Sequence, residues 1–228
     1  MKGGIDDLRQ DAVMQQVFQE MDGVLKRNRE TRRRDIGIRT YRVVPLKATT
    51  GVIQWVMGTT PVAGYLEKKH ASQNPNDWAW QFCRKKISDV QQDRFEIRQK
   101  AFQNVCSHFK PVLRFFFLET FKHPDAWFLR QIHFSRTVAA ASMIGHIVGL
   151  GDRHGHNILL DTTTGEVVHI DLGIAFEQVL ILDRPKLIYR ENFYQLEKSF
   201  LSDSLAILST GLGCRAAKAH LCEPLPSP

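Results

Sequence analysis

The chain has 228 residues, 43% of them hydrophobic and 24% charged, with a formal net charge of +7. That length supports one or two buried cores, and the composition excludes a disordered, collagen-like or disulfide-scaffold class. The basic balance suits nucleic acid or acidic partners but is too dispersed to choose between them.

Four cysteines, Cys83, Cys106, Cys214 and Cys222, stand apart with no C-x-x-C pair, which points to reduced thiols and against a zinc site. No N-terminal signal pattern is visible. The longest weakly polar run, Val138 to Leu150, has 13 residues and is too short to span a bilayer. These features read as a soluble intracellular protein without a membrane partner.

Taken in order, Asp7 is placed to cap a helix, with Gln10 as its capping-box partner. The helix is expected to reach about Leu25 and to bury Met14, Val17, Phe18, Met21 and Leu25. Lys26 to Arg34 carries six basic residues and one acid, and reads as a solvated loop or as a nuclear-import or nucleic-acid patch. Alternation predicts a strand over Ile36 to Val44. A turn at Thr49-Thr50-Gly51 and a second strand over Val52 to Val56 follow. Gly58-Thr59-Thr60-Pro61 breaks the pattern and marks a boundary. A short helix is expected from Tyr65, then a loop from His70 to Asp77, then mostly helix. Phe102, Val105, Cys106 and Phe109 fall at helical spacing and read as core, as do Leu113, Phe116 and Phe117. A long helix is expected from about Asp125 to Val148, burying Ile132, Arg136, Ala139, Ala140, Met143 and Ile147. Gly149 and Gly151 then end it and permit a sharp turn.

The stretch beyond that turn is the most informative. Asn157-Ile158-Leu159-Leu160 reads as one strand, Asp161 to Gly165 as a turn, and Glu166 to Asp171 as the return strand. A turn centred near residue 163 or 164 brings Asn157 opposite Asp171 or a residue beside it. Asp152 lies just upstream. Two hard oxygen ligands with a third carboxylate nearby suit Mg²⁺ bound partly through substrate phosphates. The spacing from Asp152 to Asn157, followed by Asp171-Leu172-Gly173, parallels the protein-kinase pattern H-R-D-x-x-x-x-N with D-F-G, although the tripeptide here is the reversed D-R-H.

That reversed motif, the hairpin and D-L-G resemble the phosphatidylinositol 3-kinase-related protein kinases and their lipid-kinase relatives. The runs Asp6-Asp7-Leu8-Arg9-Gln10-Asp11-Ala12-Val13-Met14-Gln15-Gln16-Val17-Phe18 and His169-Ile170-Asp171-Leu172-Gly173-Ile174-Ala175-Phe176-Glu177-Gln178 are similar to the ataxia-telangiectasia-mutated-like branch of that family. The resemblance covers about Lys2 to Gln178. It implies an α/β (α+β), bilobal kinase-like fold with an incomplete N-lobe and a mostly helical C-lobe. The expected divisions are 1–57 for a partial N-lobe with hinge, 58–178 for a C-lobe with catalytic and metal-binding loops, and 179–228 for an unmatched, partly disordered tail.

The resemblance also implies site roles. Asp152 orients or deprotonates the acceptor hydroxyl, and His154 shares that role or stabilises phosphate charge; a packing histidine is the other reading of His154. Asn157 and Asp171 hold Mg²⁺ or Mn²⁺. Lys2 is either the ATP-phosphate lysine displaced by one residue or a polar terminus. Asp11 is the helix acid that meets this lysine. Trp55 lies against the adenine, Val56 offers backbone groups to its edge and Ile53 lines the rear, although a core tryptophan fits Trp55 as well. Arg153 anchors the loop, and His156 and His169 are structural. The implied activity is ATP-dependent phosphorylation of serine or threonine in protein substrates, with a preference for a following glutamine. The implied setting is nuclear DNA-break signalling, with partners engaged through regions absent here.

Two features set the alternatives. No glycine-rich phosphate hairpin precedes Lys2, and Val179 to Pro228 matches nothing in the family, so a fragment with an unrelated tail is expected, and an inactive remnant is one alternative. The other is a lipid kinase, which tends to carry basic residues after D-L-G. Ile174 to Asp183 has no Lys or Arg, which argues against it.

Overall fold

The computed structural model describes the backbone of Lys2–Gly3 and residues 7–176 in full. The expected amphipathic segment at Phe193, Leu196, Phe200 and Leu201 lies outside the described residues, as do Cys214 and Cys222. Among the described residues no helix is long and apolar enough to cross a membrane.

Among the described residues, helices and two small antiparallel sheets build the molecule, an α/β arrangement in which helices predominate between the last strand pair and the strands before it. The first sheet joins β1 (Lys2–Gly3), β2 (Val43–Lys47) and β3 (Thr50–Ile53) in the order β1-β3-β2. The second joins β4 (Thr59–Pro61), β5 (Ile158–Asp161) and β6 (Val167–His169) in the order β4-β5-β6. The chain therefore passes from one sheet to the other across residues 54–58. Gly58 takes φ +69 there, and its carbonyl accepts the Thr162 N–H at 2.8 Å.

Helix α1 (Leu8–Arg27) starts at Asp7, whose carboxylate accepts the Arg9 N–H at 3.0 Å. The guanidinium of Arg9 occupies the same carboxylate, so the expected capping box with Gln10 does not form. Met14 and Phe18 are buried, with Val17, Met21 and Leu25 packed beside them against Ile144, Val148, Leu150, Leu172 and Ala175. The basic run forms the end of α1 and a short helix, α2 (Arg29–Arg33), which buries none of its side chains.

The strand expected over Ile36 to Val44 begins only at Val43. The amides before it go to side chains instead of a neighbouring strand. Ile38 donates to Asp22, Tyr41 to Gln15 and Arg42 to Gln54, each at 3.0 Å. The turn falls at Ala48–Thr49, and Thr50 and Gly51 already belong to β3.

Helix α3 (Val62–Gln73) runs through the region expected to become a loop at His70. His70 faces inward at 5% exposure and stacks on Phe109, with ring centroids 3.7 Å apart. Helices α4 (Trp80–Asp89) and α5 (Phe95–His108) pack around Cys83, Val105 and Phe109. Helix α6 (Arg114–Thr120) delivers Phe116 and Phe117 to a core shared with Val62, Phe121, Phe134, Ile158, Leu160 and Val167.

Helix α7 (Pro124–Ile147) has the expected length but turns a different face inward. Phe134, Thr137, Ala140, Ala141, Ile144 and Gly145 are buried, whereas Met143 and Ile147 are 62% and 66% exposed. Polar and apolar residues are spread nearly evenly round this helix, so periodicity cannot select its buried stripe.

Candidate active site

The hairpin forms as its sequence requires. Ile158 pairs with His169 and Leu160 with Val167, and the Ile170 N–H donates to the Asn157 carbonyl at 3.0 Å. Asn157 therefore lies opposite Ile170, one residue before Asp171. Asp161 closes the turn. Its carboxylate accepts from the amides of Thr163 and Thr164 at 2.7 and 2.8 Å and pairs with Arg39. Burial raises the Asp161 pKa, but these donors outweigh it and hold the group at about 2.

Upstream of the hairpin, the chain reverses at Gly149, with φ +60, and at Asp152, with φ +51. The expected pivot Gly151 has no positive φ. Asp171 also takes φ +58. A non-glycine residue held in this region costs on the order of 1–3 kcal/mol, so surrounding contacts must fix it. Gly151 donates to the Ile174 carbonyl at 2.8 Å and Phe176 to that of Val148 at 2.7 Å, which joins the two loops.

Arg153 is the largest such contact. It is 2% exposed. Its guanidinium donates to the carbonyls of Gly151 at 2.8 Å and Ile170 at 2.7 Å, and also to that of Asp171. One side chain thus ties the D-R-H loop to the D-L-G turn. Burial and the Arg153 charge push His169 down to about 3, so this ring is neutral.

Asp152 and His154 project outward with side chains 47% and 45% exposed, and Oδ2 and Nε2 lie 3.9 Å apart. That separation exceeds a hydrogen bond. The His154 Nδ1 accepts the His156 N–H at 3.3 Å, so a neutral ring carries its proton on Nε2, the nitrogen nearer Asp152. Asn157 is 6% exposed, and its amide nitrogen donates to the Asp152 carbonyl at 3.0 Å. The amide is thereby oriented, and no donor among the described residues occupies its Oδ1. A carboxamide oxygen so oriented and the carboxylates of Asp152 and Asp171 are hard donors of the kind that suits Mg²⁺ completed by phosphates.

From α1, Asp11 is 3% exposed and accepts the Leu172 N–H at 2.8 Å. Lys2 pairs through its backbone with Gly51. Ile53 and Val56 pack with Ile170 around Tyr41, Leu159 and Val168. Trp55 is 81% exposed, which removes the core-tryptophan reading. The bond from the Tyr41 N–H to the buried Gln15 side-chain oxygen, at 3.0 Å, was not legible in the sequence. Tyr41 was one residue of an alternating run, and Gln15 carried no signal.

Residues 1–188 match the family described as phosphatidylinositol 3- and 4-kinase. The chain belongs to this family. The match extends ten residues past Gln178, where the sequence reading placed its end. Among curated relatives, serine/threonine-protein kinase tel1 of Aspergillus oryzae is 51% identical over 187 residues, covering 82% of this chain and 6% of that protein. Serine-protein kinase ATM of Sus scrofa is 47% identical over 189 residues, covering 81% and 6%. The solved FAT and kinase domain of CtTel1 superposes with a TM-score of 0.72 at 52% identity, covering 77% of this chain and 12% of that one. The chain thus spans a small part of each relative's length.

Proposed function

We propose that this chain carries the catalytic core of an ATP-dependent serine/threonine protein kinase. The observation that carries the reading is that one buried arginine holds the carbonyls of Asn157 and Asp171 while the Asn157 side chain holds that of Asp152, within a chain about half identical to protein kinases of this family. In this reading residues 1–57 form the N-lobe part and hinge, and 58–178 the C-lobe. Trp55, Val56 and Ile53 receive the adenine, and Lys2 the phosphates. Asp171 and Asn157 hold Mg²⁺, or Mn²⁺ in its place. When bound, the cation neutralises phosphate charge.

The chain's own residues do the rest. Asp152 lies at the mouth of the site, where it can align an acceptor hydroxyl and take its proton. His154 directs its Nε2–H toward developing negative charge. Asp11 and Arg153 keep the metal-binding turn fixed, so little reorganisation is left for the reaction. Protein Ser/Thr side chains are the proposed acceptors, and nuclear DNA-break signalling is the proposed setting.

A thermal-unfolding titration with Mg²⁺-ATP tests this. A ligand that binds the folded chain raises its midpoint by mass action. We expect a rise in the parent that is lost in Asp171→Asn, with the ligand-free midpoint nearly unchanged. An equal response in both proteins would remove Asp171 from the site. No response in the parent would leave an inactive remnant of the kinase.

A further inference from the structure

The even spread of α7 leaves apolar residues on its outer side as well as its inner one. Phe134, Ala141 and Ile144 face the core. Leu129, Ile132, Arg136, Ala139, Met143 and Ile147 recur at three and four, so they line a second stripe about 27 Å long. Leu129, Ala139, Met143 and Ile147 are exposed, and Ile132 and Arg136 are half-buried. Exposed apolar side chains scattered singly need no explanation, but a row along about five helical turns marks a contact surface. Arg136 is the one charged residue in the row.

The chain itself supplies a matching face. The described residues end at Phe176, which lies at the C-terminal end of the stripe. Its N–H donates to the Val148 carbonyl at 2.7 Å, and a Cβ on Gly149 would meet its carbonyl oxygen at 3.2 Å. From there 52 residues follow, and they include the amphipathic run of Phe193, Leu196, Phe200 and Leu201. At helical spacing Glu197 falls within this apolar face and Lys198 on the opposite side. Each face thus carries a single charge, and the two charges are opposite. The 16 residues between Phe176 and Phe193 extend to at most about 55 Å, enough to reach any point of the stripe. The family match ends at residue 188, so the amphipathic run lies beyond it. A second copy would bring another Arg136 and the same net charge of +7, which repels its twin.

We propose that residues 193–201 dock as an amphipathic helix on the outer stripe of α7, with Glu197 paired to Arg136. The contact covers the exposed apolar row within one chain. It closes on the helix that leads into the D-R-H loop.

Hydrogen exchange read by mass spectrometry on the full 228-residue chain provides the test. We expect the amides of residues 194–201 to exchange about tenfold slower than in a free peptide of the same sequence. Arg136→Glu and Glu197→Arg each set two like charges face to face and should remove most of that protection. The double variant re-forms the pair with its charges exchanged and should restore it. Protection across α1 reports that each variant folds. Met143→Asp places an acid in the exposed part of the stripe and should release the segment as well; it decides where Arg136→Glu does not fold. A segment unprotected in the parent, protection indifferent to these substitutions, or a double variant no better than the single ones would each overturn the proposal. Protection that appears only as the protein concentration is raised would assign the stripe to a second copy and overturn docking within one chain.

Discussion

Asp161 shows how much one side chain settles. It is 1% exposed, yet charged, because two threonine amides and Arg39 surround its oxygens. Its pKa falls from 3.8 to about 2 on folding. Below 3.8 the unfolded chain takes up a proton that the folded chain still refuses, so stability falls with pH through the window from 3.8 to 2. The linked contribution is about 2 kcal/mol, fully present above the upper limit. Asp161→Asn is expected to be less stable than the parent at pH 7, with the gap closing toward pH 2. Denaturant unfolding at stepped pH measures it, and a gap independent of pH would assign the loss to packing.

At the scale of elements, Gly155 links the D-R-H loop to α3. Its carbonyl accepts the Ala63 N–H at 2.9 Å, and a Cβ at this position would meet the Ala63 Cβ at 3.0 Å and N at 3.1 Å. Gly155→Ala is therefore expected to push the helix start from the loop and to destabilise by about 1–3 kcal/mol, read by chemical denaturation. A neutral effect would mean that α3 shifts freely. The elements also show what was legible. The hairpin was, because two apolar strands flank a polar turn that Asp161 closes by itself. The strand over Ile36 to Val44 was not, because its amides are claimed by Asp22, Gln15 and Gln54, partners remote in sequence. The face of α7 was not, because a helix with polar and apolar residues spread evenly round it leaves the choice to its neighbours. Of the proposed site, the placement of Asn157 and Asp171 at the open end of the hairpin was legible from spacing. The backbone clamps that aim them were not, since a carbonyl or amide leaves no mark in the residue string.

Across the whole molecule, α1 serves as a shared wall. Met14 and Phe18 pack on Ile144 of α7, on Val148 just after it, and on Leu172 and Ala175 past the hairpin, while the Leu8 N–H takes the Ala48 carbonyl beside the first sheet. Asp11 gives it a direct polar contact to the D-L-G turn, through the Leu172 amide. Asp11→Ala is expected to keep the helices and to speed hydrogen exchange at residues 168–176 relative to α7, since that turn loses an anchor. Equal protection in the two proteins would show that α1 does not govern the turn.

The contacts of Arg153 with Gly151, Asn157, Ile170 and Asp171 all end on main-chain oxygens. Every amino acid offers the same oxygen. The arginine thus recognises the path of the chain and is indifferent to the spelling of most positions along it. Ile170 can be exchanged for valine or leucine without touching the clamp, whereas Arg153→Lys, which loses the planar fork, cannot reach the same set of oxygens. Redesign of the proposed site has room to rewrite the loops, provided that one guanidinium stays.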